Sequence, residues 1–192
     1  MKKILLISIF ILISALSAQA NEIKRIFVGN ESAKISIIAF ESLTCSYCAK
    51  FHQDVYPLLK KEFLDTGLAK IEFRHFPLDI AAFNASKVAQ CTNDGNLEIL
   101  ESLYANQQKW VKGSSIEEAN INLQKFLSKE GFNIDFESCI NNKQIEDFVL
   151  NDRIDGAKNF KVNATPTIII NNEKFEKTLN YKNLKKALEK LI

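Results

Sequence analysis

The chain is short of the residues that build phosphate-binding loops and hydrolase active sites. Its 192 residues include six glycines, three prolines and two histidines. The sequence contains no glycine-rich phosphate loop and no G-x-S-x-G motif, so nucleotide-binding and serine-hydrolase functions find no support. His52 and His75 do not form an H-x-H type pair of metal ligands. What remains for chemistry is a set of four cysteines.

Strong net charge is also absent. The formal charge is +2 at pH 7, from 25 basic and 23 acidic residues. Removal of residues 1–20 would take Lys2 and Lys3 with it and leave 23 residues of each sign. This balance gives no indication of a nucleic-acid partner or of binding to an anionic surface.

The N-terminus has the three regions of a secretory signal. A basic start at Lys2 and Lys3 leads into the apolar run Ile4 to Leu16, and the small residues Ala18 to Ala20 follow. We therefore expect a signal peptide at residues 1–20, a mature chain that begins at Asn21, and export to a compartment where disulfides persist. A retained membrane anchor is the alternative, although the apolar run is shorter than the roughly 20 residues that span a bilayer.

A C-x-x-C motif stands where a strand is predicted to meet a helix. The apolar run Ile35 to Phe40 predicts a strand buried on both faces, and Thr44 is placed to cap a helix that starts at Cys45. The helix amides and the positive end of the helix dipole should lower the pKa of the Cys45 thiol. Cys45 is thus the predicted nucleophile, and Cys48, one turn further, the predicted resolving thiol.

Zinc knuckles and simple structural disulfides also contain C-x-x-C motifs. A four-ligand zinc site usually shows a second close pair of ligands, whereas Cys91 and Cys139 are far from each other in sequence. A buried strand that delivers the motif to a helix start is the redox arrangement. The sequence therefore favours a redox pair that needs no metal or cofactor, with a zinc-binding module as the weaker alternative.

The rest of the pattern is that of an α/β fold interrupted by helices. A helix reaching about Leu64, with a kink expected at Pro57, and a strand at Ala69 to Phe76 predict a βαβ unit. Residues 79–141 contain helical patterns only and predict a helical insertion. A further helix is predicted at Asn142 to Lys161, and its inward-facing residues are expected to be Ile145, Phe148, Val149 and Ile154. The chain then continues with a strand at Thr167 to Ile170, a hairpin and a closing helix from Tyr181.

Two segments resemble a known family. Phe40 to Phe51, which reads F-E-S-L-T-C-S-Y-C-A-K-F, and Ala164 to Thr167, which reads A-T-P-T, are similar to the DsbA-like thiol:disulfide oxidoreductases of bacterial envelopes. The resemblance implies a thioredoxin-like fold with a helical insertion, divided into residues 21–78, 79–141 and 142–192, and a periplasmic location. It also implies a cis peptide bond at Thr165-Pro166 beside the Cys45-Cys48 disulfide, with the Thr165 backbone pairing to substrate.

The function implied by this resemblance is the oxidation of unfolded, reduced exported proteins, followed by reoxidation through a membrane redox partner. Family isomerases carry a separate dimerisation domain, but only Asn21 to Lys34 precede the core strand here, so a monomeric oxidase is expected. An isomerase or reductase of the same fold is the alternative, because the family's oxidases commonly have Pro-His between the cysteines where this chain has Ser46-Tyr47.

Several residues have an open role at the level of sequence. Ser46 and Tyr47 are candidates for tuning the redox pair, because they stand between the two cysteines. Glu41 is a third candidate, because thioredoxin-like proteins often bury an acid six residues before the first cysteine, a place taken here by Ala39. Glu41 is either a proton acceptor for Cys48 or a loop glutamate in water.

The remaining cysteines and the histidines also have two interpretations each. Cys91 and Cys139 are expected to form a second disulfide, either a structural staple or a redox-tuning pair. His52 and His75 are either proton shuttles or ordinary structural histidines.

Overall fold

The computed structural model describes residues 22–192, so the expected signal peptide and the cleavage point at Asn21 lie outside the described residues. Within that described part, no helix is both long enough and apolar enough to cross a membrane.

A five-stranded mixed sheet forms the centre of the molecule, in the order β1-β3-β2-β4-β5. Its strands are β1 (Ile26–Gly29), β2 (Ile35–Glu41), β3 (Ala69–His75), β4 (Thr167–Ile170) and β5 (Glu173–Lys174). β2 and β3 are parallel, and the other pairs are antiparallel. The parallel pair confirms the βαβ unit. Six of the seven β2 residues are buried, as its continuous apolar run predicts.

The helix after the cysteines is interrupted, as Pro57 predicts, but it is divided rather than only kinked. It consists of α1 (Ser46–Asp54), α2 (Tyr56–Leu59) and a π-helical turn at Lys60–Leu64. The break falls at Val55, just before Pro57, whose ring nitrogen cannot donate to the preceding turn. The division leaves α1 as a short helix of nine residues that starts beside the thiols.

The middle of the chain is helical, as its sequence pattern predicts. It contains α3 (Ile80–Gln90), α4 (Glu98–Ala105), α5 (Gln107–Trp110), α6 (Ile116–Lys129) and α7 (Phe136–Asn141), and α8 (Lys143–Asn159) follows. Side chains of Asp79, Ser115, Asp135 and Asn142 cap four of these helices by accepting from backbone amides. Ser115 and Glu118 form half of a capping box: the Ser115 hydroxyl accepts from the Glu118 amide, but the Glu118 carboxylate accepts from the Ser114 amide instead of that of Ser115. The last helix is α9 (Tyr181–Leu188).

The sheet has a buried core on each face. Alternate β2 residues divide between the two, with Ile37 and Ala39 in the larger core and Ile38 and Phe40 in the smaller. On the smaller side α8 approaches so closely that a Cβ on Gly156 would lie 2.8 Å from the Phe40 ring. The expectation that Ile154 faces inward is wrong. Its side chain is exposed, because Ile145, Val149, Asp152 and Gly156 form the buried face of α8.

Cys91 and Cys139 are joined by a disulfide, with their Cα atoms 5.5 Å apart. The bond links the C-terminal end of α3 to α7 across 48 residues of chain. Trp110 is also part of the core, where its indole N–H donates to the Leu103 carbonyl at 2.9 Å.

Candidate active site

The two remaining thiols lie at the C-terminal end of β2, where a tight turn leads into α1. The backbone amide of Cys45 donates to the Ser42 carbonyl, and the Cys45 carbonyl accepts from the amides of Cys48 and Ala49. Cys45 is therefore the N-cap of α1, and its side chain makes no capping bond. The sequence-based prediction that Thr44 caps this helix is wrong, because its hydroxyl donates to Asp79 at 2.7 Å.

The Cys45 thiol lies in an environment that favours the thiolate. The pKa of Cys45 is lowered to about 5, first by the Cys48 thiol as a hydrogen-bond donor and then by Thr165 and the amides of Cys48 and Tyr47, against an opposing effect of burial. As a neutral thiol, Cys45 donates to the Thr165 carbonyl at 3.3 Å. The lowered pKa makes Cys45 a thiolate at neutral pH, and because the residue is only partly buried, its sulfur can be reached by a substrate.

Cys48 has the opposite character. Its side chain is fully buried, and its pKa is raised well above the usual range by that burial, by the adjacent Cys45 sulfur and by the negative charge of Glu41. Cys48 therefore keeps its proton while Cys45 is ionised. Any reaction at Cys48 requires a group that exchanges this proton.

Glu41 is buried below the thiols, so the interpretation of this residue as a loop glutamate in water is wrong. It is the last residue of β2 and is 3% exposed. One carboxylate oxygen, Oε2, lies 2.8 Å from Nε2 of His52 on α1. The His52 ring is stacked on Tyr104 of α4, with 4.2 Å between ring centroids. Glu41 and His52 thus form a hydrogen-bonded buried pair next to Cys48.

Thr165 and Pro166 face Cys45 from the loop before β4, and the peptide bond between them is cis. Beside them lies a cavity of about 490 Å³ between α1 and the start of α9. Tyr47, Phe51, Pro166, Leu179 and Tyr181 are among its lining residues. Tyr47 is 73% exposed, and the Ser46 side chain is also exposed, so both redox-tuning candidates between the cysteines face solvent.

His75 lies beside Glu41 in the sheet, but its side chain bonds to a residue outside the site. It is the register partner of Glu41 in the β2–β3 pair, and its Nε2 lies 3.2 Å from Oε1 of Gln90 on α3. Burial lowers the pKa of His75. Of the two histidines, the structure therefore brings only His52 into hydrogen-bond contact with the site.

Gln107 is a contact that the sequence did not indicate. Its side-chain amide donates to the carbonyls of Leu43 and Cys45, at 2.8 and 3.0 Å. This residue of α5 therefore holds the thiol-bearing turn from the side of the helical insertion. A single glutamine 62 residues beyond Cys45 has no local pattern that could reveal such a role.

Residues 22–192 contain no group of three or more histidine, cysteine, aspartate or glutamate side chains placed to hold a metal ion. The zinc-binding alternative thus finds no ligand set in the part of the chain that the structure describes.

Comparisons with known proteins agree with this geometry. A family model described as thioredoxin matches residues 21–190. The crystal structure of α-DsbA1 from Wolbachia pipientis is similar with a TM-score of 0.77 and 26% sequence identity, over 87% of this chain and 90% of that one. Disulfide bond formation protein D of Bacillus subtilis is 26% identical over 174 residues, which are 85% of this chain and 75% of that protein.

A relative from Rickettsia typhi, described as a candidate protein-disulfide oxidoreductase, is 25% identical over 171 residues. These residues are 86% of this chain but 61% of the relative, and a second relative, from Rickettsia prowazekii, is matched over 60% of its length. The chain thus spans about three fifths of these curated relatives.

Proposed function

Because this chain belongs to the thioredoxin family, with a resemblance to its DsbA branch, we propose that it is a thiol:disulfide oxidoreductase that oxidises reduced exported proteins. The reactive group is the Cys45–Cys48 pair. The single observation that supports this most strongly is the contrast between the two thiols, one partly exposed with a low pKa and one buried with a high pKa.

The reaction consists of two thiol–disulfide exchanges. A substrate thiolate attacks Sγ of Cys45 in the oxidised pair, the Cys45–Cys48 bond breaks, and Cys48 leaves as a thiolate that takes up a proton. A second substrate thiolate then attacks the substrate sulfur of the mixed disulfide and releases the Cys45 thiolate. The substrate loses two electrons and gains a disulfide, and the Cys45–Cys48 pair is reduced.

The direction of transfer follows from the stability of the leaving group. A thiol of low pKa leaves more easily as a thiolate, so a Cys45 pKa near 5 favours release of Cys45 and hence donation of the disulfide. The cavity beside Thr165 and Pro166 supplies a mainly apolar surface next to the reacting sulfur, which suits an unfolded polypeptide with exposed apolar side chains.

Replacement of each cysteine tests the assignment of roles. Cys45→Ser should abolish oxidation of a reduced, unfolded protein substrate, because the attacked sulfur is gone. Cys48→Ser should instead accumulate mixed disulfides, because the resolving thiol is gone. The exposed Ser46→Ala is the matched control and should retain exchange activity. Oxidation of the substrate by Cys45→Ser at the rate of the unmodified protein would refute the assignment.

An isomerase or reductase of the same fold is the second candidate. It is favoured by Ser46 and Tyr47 between the cysteines and by the hydroxyl side chain of Thr165 beside Cys45. The reduction potential of the Cys45–Cys48 pair separates the candidates. A potential near −120 mV, the DsbA value, is expected for an oxidase, and one near −270 mV, the thioredoxin value, would favour the reductase.

Export, partners and assembly form the last part of the proposal. We expect the signal peptide at residues 1–20 to direct the chain to the periplasm, where a membrane redox partner reoxidises the Cys45–Cys48 pair. We also expect a monomer. Cell fractionation, trapping of the Cys48→Ser variant on its partners, and light scattering would each test one of these expectations. Retention of the chain in the cytoplasm would contradict the exported role.

A further inference from the structure

His52 lies between the buried carboxylate of Glu41 and a second cavity, on the side of α1 that faces α4 and α5. Its Nε2 contacts Glu41 Oε2 at 2.8 Å, and the residue also lines a cavity of about 730 Å³ between α1, α2, α4 and α5. Such a volume holds many water molecules. His52 therefore connects Glu41, below the thiols, with this cavity.

Both ends of the Glu41–His52 pair carry a polar atom that has no hydrogen-bond partner among residues 22–192. These atoms are Oε1 of Glu41 and Nδ1 of His52, and both are buried. Unpaired buried polar atoms destabilise a folded protein, so these two atoms need an explanation. A path that takes a proton in at one end and releases one at the other explains both atoms.

Glu41 is the carboxylate that bonds the His52 ring, whereas Asp54 and Glu101 line the cavity without a hydrogen bond to the ring in the described structure. Tyr104 stacks on one side of the ring and Tyr56 lies 5.4 Å away between ring centroids. The ionisable residues that line the cavity are Lys50, Asp54, Tyr56, Lys60, Glu101 and Tyr104. Burial raises the pKa of both tyrosines, so each remains a neutral hydroxyl at physiological pH. Glu41 is the partner to which the described structure bonds the His52 ring.

We propose that His52 is the positioning and proton-transfer residue that connects Cys48, through Glu41, to water in the 730 Å³ cavity. When Cys48 attacks a mixed disulfide at Cys45, its proton goes to Oε1 of Glu41, and the buried Nδ1 of His52 gives a proton to a water molecule that enters from the cavity. The pair holds two protons before and after the step. The Cys48–Cys45 bond forms, and the bond from Cys45 to the departing thiolate breaks.

This inference rests on the proposed function, and one stopped-flow experiment separates the two. Reduced protein is mixed with 5,5′-dithiobis(2-nitrobenzoate), an aromatic disulfide whose thiolate product is coloured. Attack by Cys45 releases the first thiolate in a bimolecular phase. Resolution by Cys48 releases the second in a unimolecular phase. The first phase reports on the proposed nucleophile, and only the second depends on the Cys48 proton.

His52→Gln should slow the second phase about tenfold or more and leave the first unchanged, since an amide can bond Glu41 but cannot relay a proton. Gln108→Ala is the matched control, because Gln108 lines the same cavity and is exposed. Both of its phases should match those of the unmodified protein. Equal slowing of both phases in His52→Gln, or no slowing of the second, would overturn the relay.

Chemical rescue distinguishes proton transfer by His52 from a purely structural role of this residue. His52→Ala opens the pair to the cavity, and added imidazole should restore the second phase in proportion to its concentration. Imidazole should leave the His52→Gln rates unchanged, because the glutamine side chain fills the site. A slow second phase in His52→Ala that imidazole fails to accelerate would show that the ring does not move the proton. Loss of the first phase in the unmodified protein would instead refute the proposed function.

Discussion

At the scale of single residues, the chemistry depends on two cysteines three positions apart with opposite surroundings. Cys45 stands at a helix start with amides and a thiol directed at it, whereas Cys48 is fully buried over the charge of Glu41. Hydrogen bonds to a thiolate lower a pKa, and burial raises it. The same turn of helix therefore holds one thiolate and one thiol.

The low pKa of Cys45 predicts how the stability of the reduced protein depends on pH. A depressed pKa stabilises the folded state above the unfolded pKa of about 8.5, and this contribution is lost as the pH falls through about 5. At pH 7 it would be at most about 2.7 kcal/mol, and roughly 1–2 kcal/mol after allowance for screening at a partly exposed sulfur. The short Cys45–Cys48 loop stabilises the oxidised form by about 2 kcal/mol.

Because the thiolate and the disulfide loop contribute similar free energies, the test is how the stability difference between the two redox forms changes with pH. We expect the stability of the reduced form to rise relative to that of the oxidised form between pH 5 and 8. Denaturant midpoints of both forms measure it. Work above pH 8.5 should be avoided, because the raised pKa of Cys48 then destabilises the reduced form. A difference that is constant with pH would contradict a Cys45 thiolate.

At the scale of elements, the helical insertion is tied to the thioredoxin-like part at several points. Gln107 of α5 holds the carbonyls of the thiol-bearing turn, and Tyr104 of α4 stacks on His52. The Cys91–Cys139 disulfide joins α3 to α7 inside the insertion. The insertion therefore contacts the site, while its disulfide connects two helices of the insertion to each other.

The double substitution Cys91→Ala and Cys139→Ala tests whether this disulfide is a staple. Closure of a loop of about 49 residues is worth roughly 4 kcal/mol in the chain-entropy model, so unfolding should be easier by about 2–4 kcal/mol. The denaturant midpoint measures this loss. If the bond is only structural, the potential of Cys45–Cys48 should stay within about 10 mV, which is less than 0.5 kcal/mol. A larger shift in potential would favour the redox-tuning role.

At the scale of the whole molecule, a partly buried ionic network joins the N-terminal segment to the sheet and to α8. Arg25 pairs with Asp152 of α8 at 2.5 Å and with Glu72 of β3 at 3.1 Å. The Asp152 side chain is fully buried, and its other oxygen accepts from the His75 amide. The network therefore connects three parts of the chain that are distant in sequence.

Arg25→Met should destabilise the protein by about 3 kcal/mol, because it leaves a buried carboxylate without its cation. The matched control is Lys143→Met on the same α8 helix, where the lysine pairs with Glu146 and Asp147 but is 71% exposed. The control should change stability by less than about 1 kcal/mol. Urea unfolding measures both. Equal effects of the two substitutions would show that the Arg25–Asp152 pair contributes no more to the free energy of unfolding than an exposed pair does.

The sequence alone determined the features that depend on neighbours in the chain. The continuous apolar run of β2 required a central strand, and Pro57 required an interruption of the helix. The same holds for the C-x-x-C at a strand–helix junction, which identified the two thiols and their family. Hydrophobic periodicity and capping act over a few residues, so they can be recognised without the fold.

Only the tertiary structure decided which distant side chains meet at the site. Glu41 became a buried partner of His52 because β2 continues one residue further than expected and α1 lies over its end. Thr44 lost its expected capping role because Asp79, 35 residues later, accepts its hydroxyl. Such contacts depend on how elements pack, and the energies of single hydrogen bonds are too similar for local sequence to choose among partners.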